Sequence, residues 1–150
     1  MIVAFFGHSD YVRNAEDEQR ILEILQKEIG DKECEIFLGE YGKFDYFAYS
    51  CAKKYKATHP SVKLVFVTPY MDEKYIERKL DRKNKFDLIL YPPLEKVPKS
   101  VAIPRRNRWI VDKADIVIVY VKNSFGGAYT AFEYADRKNK NVYNVAQDRA

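Results

Sequence analysis

Cysteine, histidine and glycine are scarce in this chain of 150 residues. The scarcity of cysteine and histidine argues against a metal-binding protein. The chain has two cysteines, Cys34 and Cys51, and two histidines, His8 and His59. None of these four residues belongs to a CxxC motif or to a cysteine–histidine cluster, so no metal site is expected. Cys51 falls on the apolar side of a predicted helix, which favours a small buried hydrophobic residue over a reactive thiol.

Long apolar runs are also missing. No stretch approaches the ~18 apolar residues that would span a bilayer. The first apolar run starts at residue 2 without a basic leader, so no signal peptide is expected. Hydrophobic residues make up 47% of the chain and aromatic residues 15%, which is typical of a globular protein. We expect a single domain over residues 1–150, a cytoplasmic location, as the two cysteines also suggest, and no membrane partner.

Charge is unevenly distributed along the chain, although the net charge is only +4. Residues 1–52 carry 5 basic and 11 acidic side chains, whereas residues 53–113 carry 16 basic and 7 acidic ones. A basic middle segment can attract phosphate groups. The same charges also suit solvated helix surfaces, and the sequence leaves both interpretations open.

Strand and helix patterns alternate from the first residues to the last. Helices are predicted after Asn14, from Phe44 to Tyr55, from Asp72, around Arg105–Lys113, and after Gly126-Gly127, with Pro104 assigned to a loop. The strands are apolar throughout, which indicates a parallel sheet covered on both faces. The pattern predicts a Rossmann-like, doubly wound α/β fold with a mainly parallel sheet of about six strands. The predicted strands cover residues 2–7, 33–39, 62–69, 86–91, 115–121 and 141–145.

Five of the six glycines lie at or just after the carboxyl ends of predicted strands. The carboxyl ends of parallel strands form the edge at which ligands bind in such folds. Glycine allows a ligand to approach the backbone closely, and a helix that starts there favours phosphate. Any one of these glycines also suits a tight turn, but five at one edge favour a phosphate or ribose site. They are Gly7, Gly39, Gly42, Gly126 and Gly127.

Several common motifs are absent. The chain has no GxGxxG fingerprint, no P-loop lysine pattern and no GxSxG nucleophile elbow. No cofactor is therefore expected.

Two segments resemble a known group of proteins. Gly126-Gly127-x-x-Thr130-x-x-Glu133 resembles the PGGxGTxxE signature of the LOG-type phosphoribohydrolases. The segment from Leu38 to Asp45 resembles the GGAxGxD segment of the wider SLOG superfamily, which unites LOG with the DNA-processing Smf proteins. Gly7-His8 and Arg106-Asn107-x-Trp109 also resemble the small stand-alone SLOG proteins of Firmicutes and their mobile elements. In this chain Phe125 replaces the motif's proline and Tyr129 its third glycine.

The resemblance implies a nucleotide or ADP-ribose-type ligand at the strand carboxyl edge. Gly126, Gly127 and Thr130 would then hold phosphate, Glu133 would face the ribose, and Arg106 would stand in for the catalytic arginine. The predicted ligand-binding residues are Gly7, His8, Ser9, Gly39, Glu40, Tyr41, Gly42, Asp45, Arg106, Asn107, Ser124, Gly126, Gly127, Ala128, Tyr129, Thr130 and Glu133, with Glu133 and Arg106 as the candidate catalytic pair.

Several of these residues also have ordinary explanations. Glu133 suits a helix surface position paired with Arg137. Arg105, Arg106 and Arg108 open a predicted helix against its dipole, which indicates either an anionic partner or simple exposure to water. Trp109 suits the core or a dimer contact.

Three functions of different class remain open. The leading prediction is a module that binds a nucleotide-type ligand as a sensor or by sequestration. The second is a phosphoribohydrolase that cleaves the N-glycosidic bond of a nucleoside 5′-monophosphate. Binding to single-stranded nucleic acid ranks last, because the basic residues lack an accompanying aromatic pattern. A homodimer is also left open.

Overall fold

The computed structural model describes residues 1–70, Asp72, Lys74 and 85–146. Strands and helices alternate through these residues, and a single 3-10 turn, Lys99–Val101, precedes the third described helix. The helix predicted from Asp72 falls on a segment that lies largely outside the described residues. The elements are β1 (Ile2–Gly7), α1 (Ala15–Glu28), β2 (Cys34–Leu38), α2 (Lys43–Thr58), β3 (Val62–Val67), β4 (Leu88–Leu90), α3 (Ala102–Lys113), β5 (Ile116–Tyr120), α4 (Gly127–Arg137) and β6 (Asn141–Asn144).

The six strands form one sheet in the order β4-β3-β2-β1-β5-β6, and every pairing within it is parallel. The chain starts at β1, builds outward to β4, and then returns to place β5 on the other side of β1. The order therefore reverses between β1 and β5, and this reversal opens a crevice at the carboxyl ends of these strands. The predicted doubly wound α/β fold is confirmed.

Both faces of the sheet are covered by helices. Val3 and Phe5 of β1 pack with residues of α1 and α2, whereas Ala4 and Phe6 pack with residues of α3 and α4. Successive side chains of a strand point to opposite faces. Because both faces are buried, the strands read as unbroken apolar runs in the sequence.

The two ends of α1 lie where the local sequence predicts them. Asn14 Oδ1 accepts hydrogen bonds from the N–H groups of Glu16 and Asp17 at 2.7 and 3.4 Å, as an N-cap residue does. Gly30 follows the helix with φ of +55°, a conformation that glycine adopts readily. Both predicted boundaries of this helix are confirmed.

The start of α3 differs from the sequence prediction. The sequence predicts a loop at Pro104, but this residue lies in the first turn of α3, which begins at Ala102. Proline is tolerated there because the first N–H groups of a helix have no partner within the helix. Arg106 consequently lies in the second turn of α3 instead of opening the helix.

Both thiols are buried, as predicted for Cys51. Burial raises the pKa of Cys34 to about 11 and that of Cys51 to about 12, so both thiols are poor nucleophiles. None of the helices formed by the described residues is long and apolar enough to cross a membrane.

Candidate functional site

A cleft of about 340 Å³ lies at the carboxyl edge of the sheet. The turns after β1, β2 and β5 meet there, together with one side of α3 and the first residues of α4. The cleft thus occupies the crevice created by the reversal of strand order. Its lining residues are Phe6, Gly7, His8, Ser9, Asp10, Tyr41, Gly42, Asp45, Ile103, Arg106, Asn107, Asn123, Phe125, Gly126, Gly127 and Ala128.

Arg106 is the most unusual residue of the cleft because it is charged and only 4% exposed. Its Nε and Nη1 atoms are buried and have no hydrogen-bond partner among the described residues. The guanidinium lies over the ring of Tyr41, 4.8 Å from its centroid. A Cβ atom at Gly39 would lie 3.0 Å from Nη2 and 3.2 Å from Nη1. Glycine at position 39 therefore makes room for this side chain, although Gly39 itself does not line the cleft.

Asp45 lies in the first turn of α2 on the same cleft. Its Oδ2 accepts a hydrogen bond from the N–H of Tyr41 at 2.8 Å. Burial raises the pKa of this carboxyl above its ordinary value, and the hydrogen bond and the charge of Arg106 oppose the shift. Loss of hydration thus outweighs the neighbouring positive charge.

Asn107 follows Arg106 and also faces the cleft. Its Oδ1 atom is buried, and no donor among the described residues reaches it. Native structures contain few such atoms. Two consecutive residues of α3 that line the cleft therefore carry buried polar atoms without partners among the described residues, with donors on Arg106 and an acceptor on Asn107.

His8 joins the turns after β1 and β5. Its Nε2 accepts hydrogen bonds from the N–H groups of Lys122 and Asn123 at 2.9 and 3.2 Å. In a neutral imidazole the remaining proton is then carried by Nδ1. His8 therefore fixes two walls of the cleft relative to each other.

Two of the predicted glycines are required by packing. A Cβ atom at Gly7 would lie 2.1 Å from the ring of Phe44, and one at Gly42 would lie 2.6 Å from Cα of Ser9. The second contact is accompanied by a hydrogen bond of 3.0 Å from the N–H of Lys43 to the carbonyl of Ser9. These glycines allow the turns after β1 and β2 to approach each other.

Gly126 and Gly127 are different, because a Cβ atom at either one would meet nothing within 4 Å. Gly126 has φ of +94° and caps α4 without a side-chain hydrogen bond, and no acidic residue occupies the first turn. The amino end of α4 therefore presents backbone donors and partial positive charge to open space in the cleft.

Six predicted site residues are not brought to the cleft lining. Glu133 is exposed on α4 and accepts a hydrogen bond from the hydroxyl of Tyr129, which raises the tyrosine's pKa. The Thr130 hydroxyl donates to the carbonyl of Gly126 at 3.0 Å. Glu40 is buried in an ion pair with Lys85. Gly39 lies beneath Arg106, and Ser124 is exposed beside the cleft.

Five lining residues were not predicted from the sequence. Phe6, Asp10, Asn123 and Phe125 lie within two positions of predicted site residues, so widening each motif by two residues would have included them. Ile103 carried no such signal, because its segment was read as a loop before α3. Phe125 is 72% exposed and stands at the edge of the cleft without filling it.

No family description and no curated protein matches the sequence of this chain. Solved structures do match its fold. DNA processing protein A (DprA) from Streptococcus pneumoniae has a TM-score of 0.63 at 18% identity, with 95% of this chain and 49% of that chain covered. DprA from Helicobacter pylori, whose structure was described for its single-stranded DNA binding mode, has a TM-score of 0.61 at 17% identity, with 95% and 63% covered.

The protein TM1055 has a TM-score of 0.56 at 14% identity, and the match covers 94% of this chain and 71% of that one. The chain thus spans about half of the pneumococcal DprA and less than two thirds of the Helicobacter protein. These likenesses are to the fold. The chain has the Rossmann-like fold that DprA and TM1055 share.

Proposed function

We propose that this protein binds a nucleotide or a nucleotide-derived ligand, with the ligand's phosphate held between Arg106 and the amino end of α4. The observation that carries this proposal is the burial of Arg106 with Nε and Nη1 unpartnered among the described residues. Buried N–H groups without acceptors are costly, more so when they carry a charge, and the Tyr41 ring and the Asp45 charge offset this cost only in part. A ligand phosphate beside the guanidinium would supply acceptors for its N–H groups, in charge-assisted hydrogen bonds that are stronger than neutral ones.

The surroundings of Arg106 support an organic phosphate. Gly126 and Gly127 leave open space at the amino end of α4, where backbone N–H groups favour phosphate. The cleft volume of about 340 Å³ falls within the range of small-molecule sites. The exposed ring of Phe125 offers a surface on which a base can stack. The motifs around Gly39 and Gly126 resemble those of SLOG proteins, and the fold likeness to DprA and TM1055 agrees with that assignment.

Binding without turnover is favoured over hydrolysis of the N-glycosidic bond. The candidate catalytic carboxylate, Glu133, is exposed, bonded to Tyr129 and outside the cleft lining. A general acid or a nucleophile must lie within hydrogen-bond reach of the reacting atoms. Incubation with AMP and CMP should therefore release no free base. Base release by the wild type but not by Glu133→Ala would establish the enzyme instead.

The proposal is tested by a thermal-shift screen of mononucleotides, cyclic dinucleotides, NAD and ADP-ribose. A ligand at about 100 times its Kd adds roughly 2.7 kcal/mol to the free energy of unfolding. We expect at least one compound to raise the melting temperature of the wild type and to leave the melting temperature of Arg106→Met unchanged. An equal shift in both proteins would place the ligand away from Arg106 and overturn the proposal.

Single-stranded DNA is a second candidate ligand. The supporting observation is the fold likeness to Helicobacter DprA, together with a cleft that holds a buried guanidinium whose Nε and Nη1 lack partners among the described residues. A strand would use the same guanidinium for a backbone phosphate and Phe125 for stacking. The decisive comparison is between oligodeoxynucleotides and mononucleotides on the same protein. We rank the strand second because the cleft has the volume of a single small ligand.

A further inference from the structure

The residues that line the cleft carry an unpartnered acceptor as well as unpartnered donors among the described residues. Asn107 Oδ1 is buried, and none of the described residues donates to it. Leaving such an acceptor unsatisfied is costly, whereas an apolar side chain of the same size would avoid the cost. The atom is therefore best explained by a partner that is present only when the cleft is occupied.

The position of Asn107 narrows the identity of that partner. It is adjacent to Arg106, and both residues line the same cleft. Arg106 offers donors only, and Asn107 Oδ1 is an acceptor only. Fully ionised phosphate satisfies the first requirement but brings no donor. A phosphorylated sugar with free hydroxyl groups satisfies both, since each hydroxyl has a proton to donate.

Asp45 adds a second acceptor to the cleft lining. Its Oδ2 already accepts from the N–H of Tyr41, but a carboxylate oxygen has a further lone pair. The lining thus contains donors at Arg106 and at the amino end of α4, and acceptors at Asn107 and Asp45.

We propose that Asn107 is a specificity-determining residue, whose Oδ1 accepts a hydrogen bond from a sugar hydroxyl beside the phosphate held by Arg106. This inference rests on the proposed function, because it presumes that a phosphate-bearing ligand occupies the cleft. It makes the preferred ligand a ribose phosphate with free hydroxyl groups. Deoxyribose phosphates and deoxyribonucleic acid strands bind more weakly.

The test compares wild type, Asn107→Leu and a control, Asn141→Leu. Asn141 is an exposed asparagine at the start of β6 and lies outside the cleft lining. Each protein is titrated calorimetrically with three 5′-monophosphates of one base: the ribonucleotide, the 2′-deoxyribonucleotide and the 3′-deoxyribonucleotide. The base is that of the mononucleotide that raises the melting temperature of the wild type most in the thermal-shift screen.

We expect the wild type and Asn141→Leu to bind the ribonucleotide about threefold to tenfold more tightly than at least one deoxy form, the range of one neutral hydrogen bond. Asn107→Leu should bind ribo and deoxy forms equally, at the weaker affinity. Its melting temperature without ligand should not fall, because the substitution removes an unsatisfied buried atom. A residue with only a structural role would lower the melting temperature and leave the ribo-to-deoxy ratio unchanged.

Each other outcome has one meaning. Equal affinity of the wild type for all three nucleotides overturns the role of Asn107 and leaves the proposed function intact. Discrimination that persists in Asn107→Leu also overturns it, because another residue would then read the hydroxyl. If the wild type binds none of the nucleotides with any base, the proposed function fails and this inference fails with it.

Discussion

At the scale of single residues, the buried guanidinium of Arg106 has a measurable consequence for the protein without ligand. Replacing a buried charged group whose N–H atoms lack acceptors by an apolar side chain removes the cost of burying those groups unpaired. We therefore expect Arg106→Met to be at least as stable as the wild type in urea unfolding. Arg105→Met is the matched control, since Arg105 is exposed and should change stability by less than about 0.5 kcal/mol. A loss of more than about 2 kcal/mol in Arg106→Met would mean that the side chain serves the fold and not a ligand.

Asp45 gives a pH dependence whose sign follows from its environment. Burial raises its pKa in the folded protein above the ordinary 3.8. The folded state therefore binds more protons than the unfolded state between that value and the raised pKa, and the contribution of Asp45 to stability falls as pH rises through this window. In Asp45→Asn this fall should be absent, while the asparagine oxygen can still accept from the N–H of Tyr41.

Unfolding experiments between about pH 3 and pH 8 provide the measurement. The stability of Asp45→Asn relative to the wild type should increase with pH above 3.8 and then level off. A relative stability that instead decreases with pH would show that the pairing with Arg106 outweighs burial, and that the folded pKa is lowered.

The sequence identified most residues at the cleft but not the state of their side chains. Gly7 and Gly42 were read as ligand-facing glycines, whereas each also makes room for a contact distant in sequence, with Phe44 and Ser9 respectively. The burial of Arg106 could not be read from its arginine-rich surroundings, because it depends on Tyr41 and Gly39 from another part of the chain. Side-chain partners across the fold are set by packing, which a linear motif does not encode.

At the scale of elements, the two glycines in the turn from β5 into α4 have different roles. Gly126 is required for its backbone conformation, whereas Gly127 leaves space at the cleft. Gly126 has φ of +94°, and a Cβ at either Gly126 or Gly127 would meet nothing within 4 Å. We expect Gly126→Ala to lose about 1–3 kcal/mol of stability through backbone strain alone, because φ of +94° with ψ of 172° is a combination essentially confined to glycine. Gly127→Ala should keep its stability, because alanine favours helix at the first position of α4. Because Gly127 lines the cleft, we expect the added methyl group to weaken ligand binding.

Urea unfolding and ligand titration of both variants provide the measurements. Gly127→Ala with unimpaired binding would show that the ligand does not approach the amino end of α4. Gly126→Ala with undiminished stability would show that the positive φ is not required by the turn.

The elements themselves were largely predictable because both faces of the sheet are buried. Uninterrupted apolar strands and helical stripes of apolar residues then mark the elements directly. The boundaries were less accurate, as β4 covers only Leu88–Leu90 of a predicted 86–91. The start of α3 was missed because proline at position 104 reads as a break in sequence, although it is compatible with a first turn.

At the scale of the whole molecule, the uneven charge bears on the choice between a small ligand and a nucleic acid strand. Residues 53–113 carry an excess of basic side chains, which can attract any polyanion. Binding to single-stranded DNA releases counterions, so the logarithm of the affinity falls with that of the salt concentration, with a slope of about −0.7 per contacted phosphate.

We expect oligodeoxynucleotide affinity to be weak and to fall steeply between about 50 and 200 mM salt, because a strand contacts several phosphates at once. Mononucleotide affinity should change much less. Fluorescence anisotropy of labelled oligodeoxynucleotides and calorimetry of mononucleotides, each over this salt range, provide the comparison. Tight oligodeoxynucleotide binding with no mononucleotide binding would reverse our ranking of the two ligands.

The central claim is that the crevice between β1 and β5 is the ligand site, with Arg106 as its anion-binding group. Nuclear magnetic resonance of the labelled protein tests it most directly, by following backbone amides and the Arg106 Nε–H during a nucleotide titration. We predict the largest shift changes at Arg106, Gly126, Gly127 and Ala128, which line the cleft. Changes confined to the opposite edge of the sheet, around Cys34 and Lys63, would contradict the claim, as would an Arg106 signal that does not move at saturation.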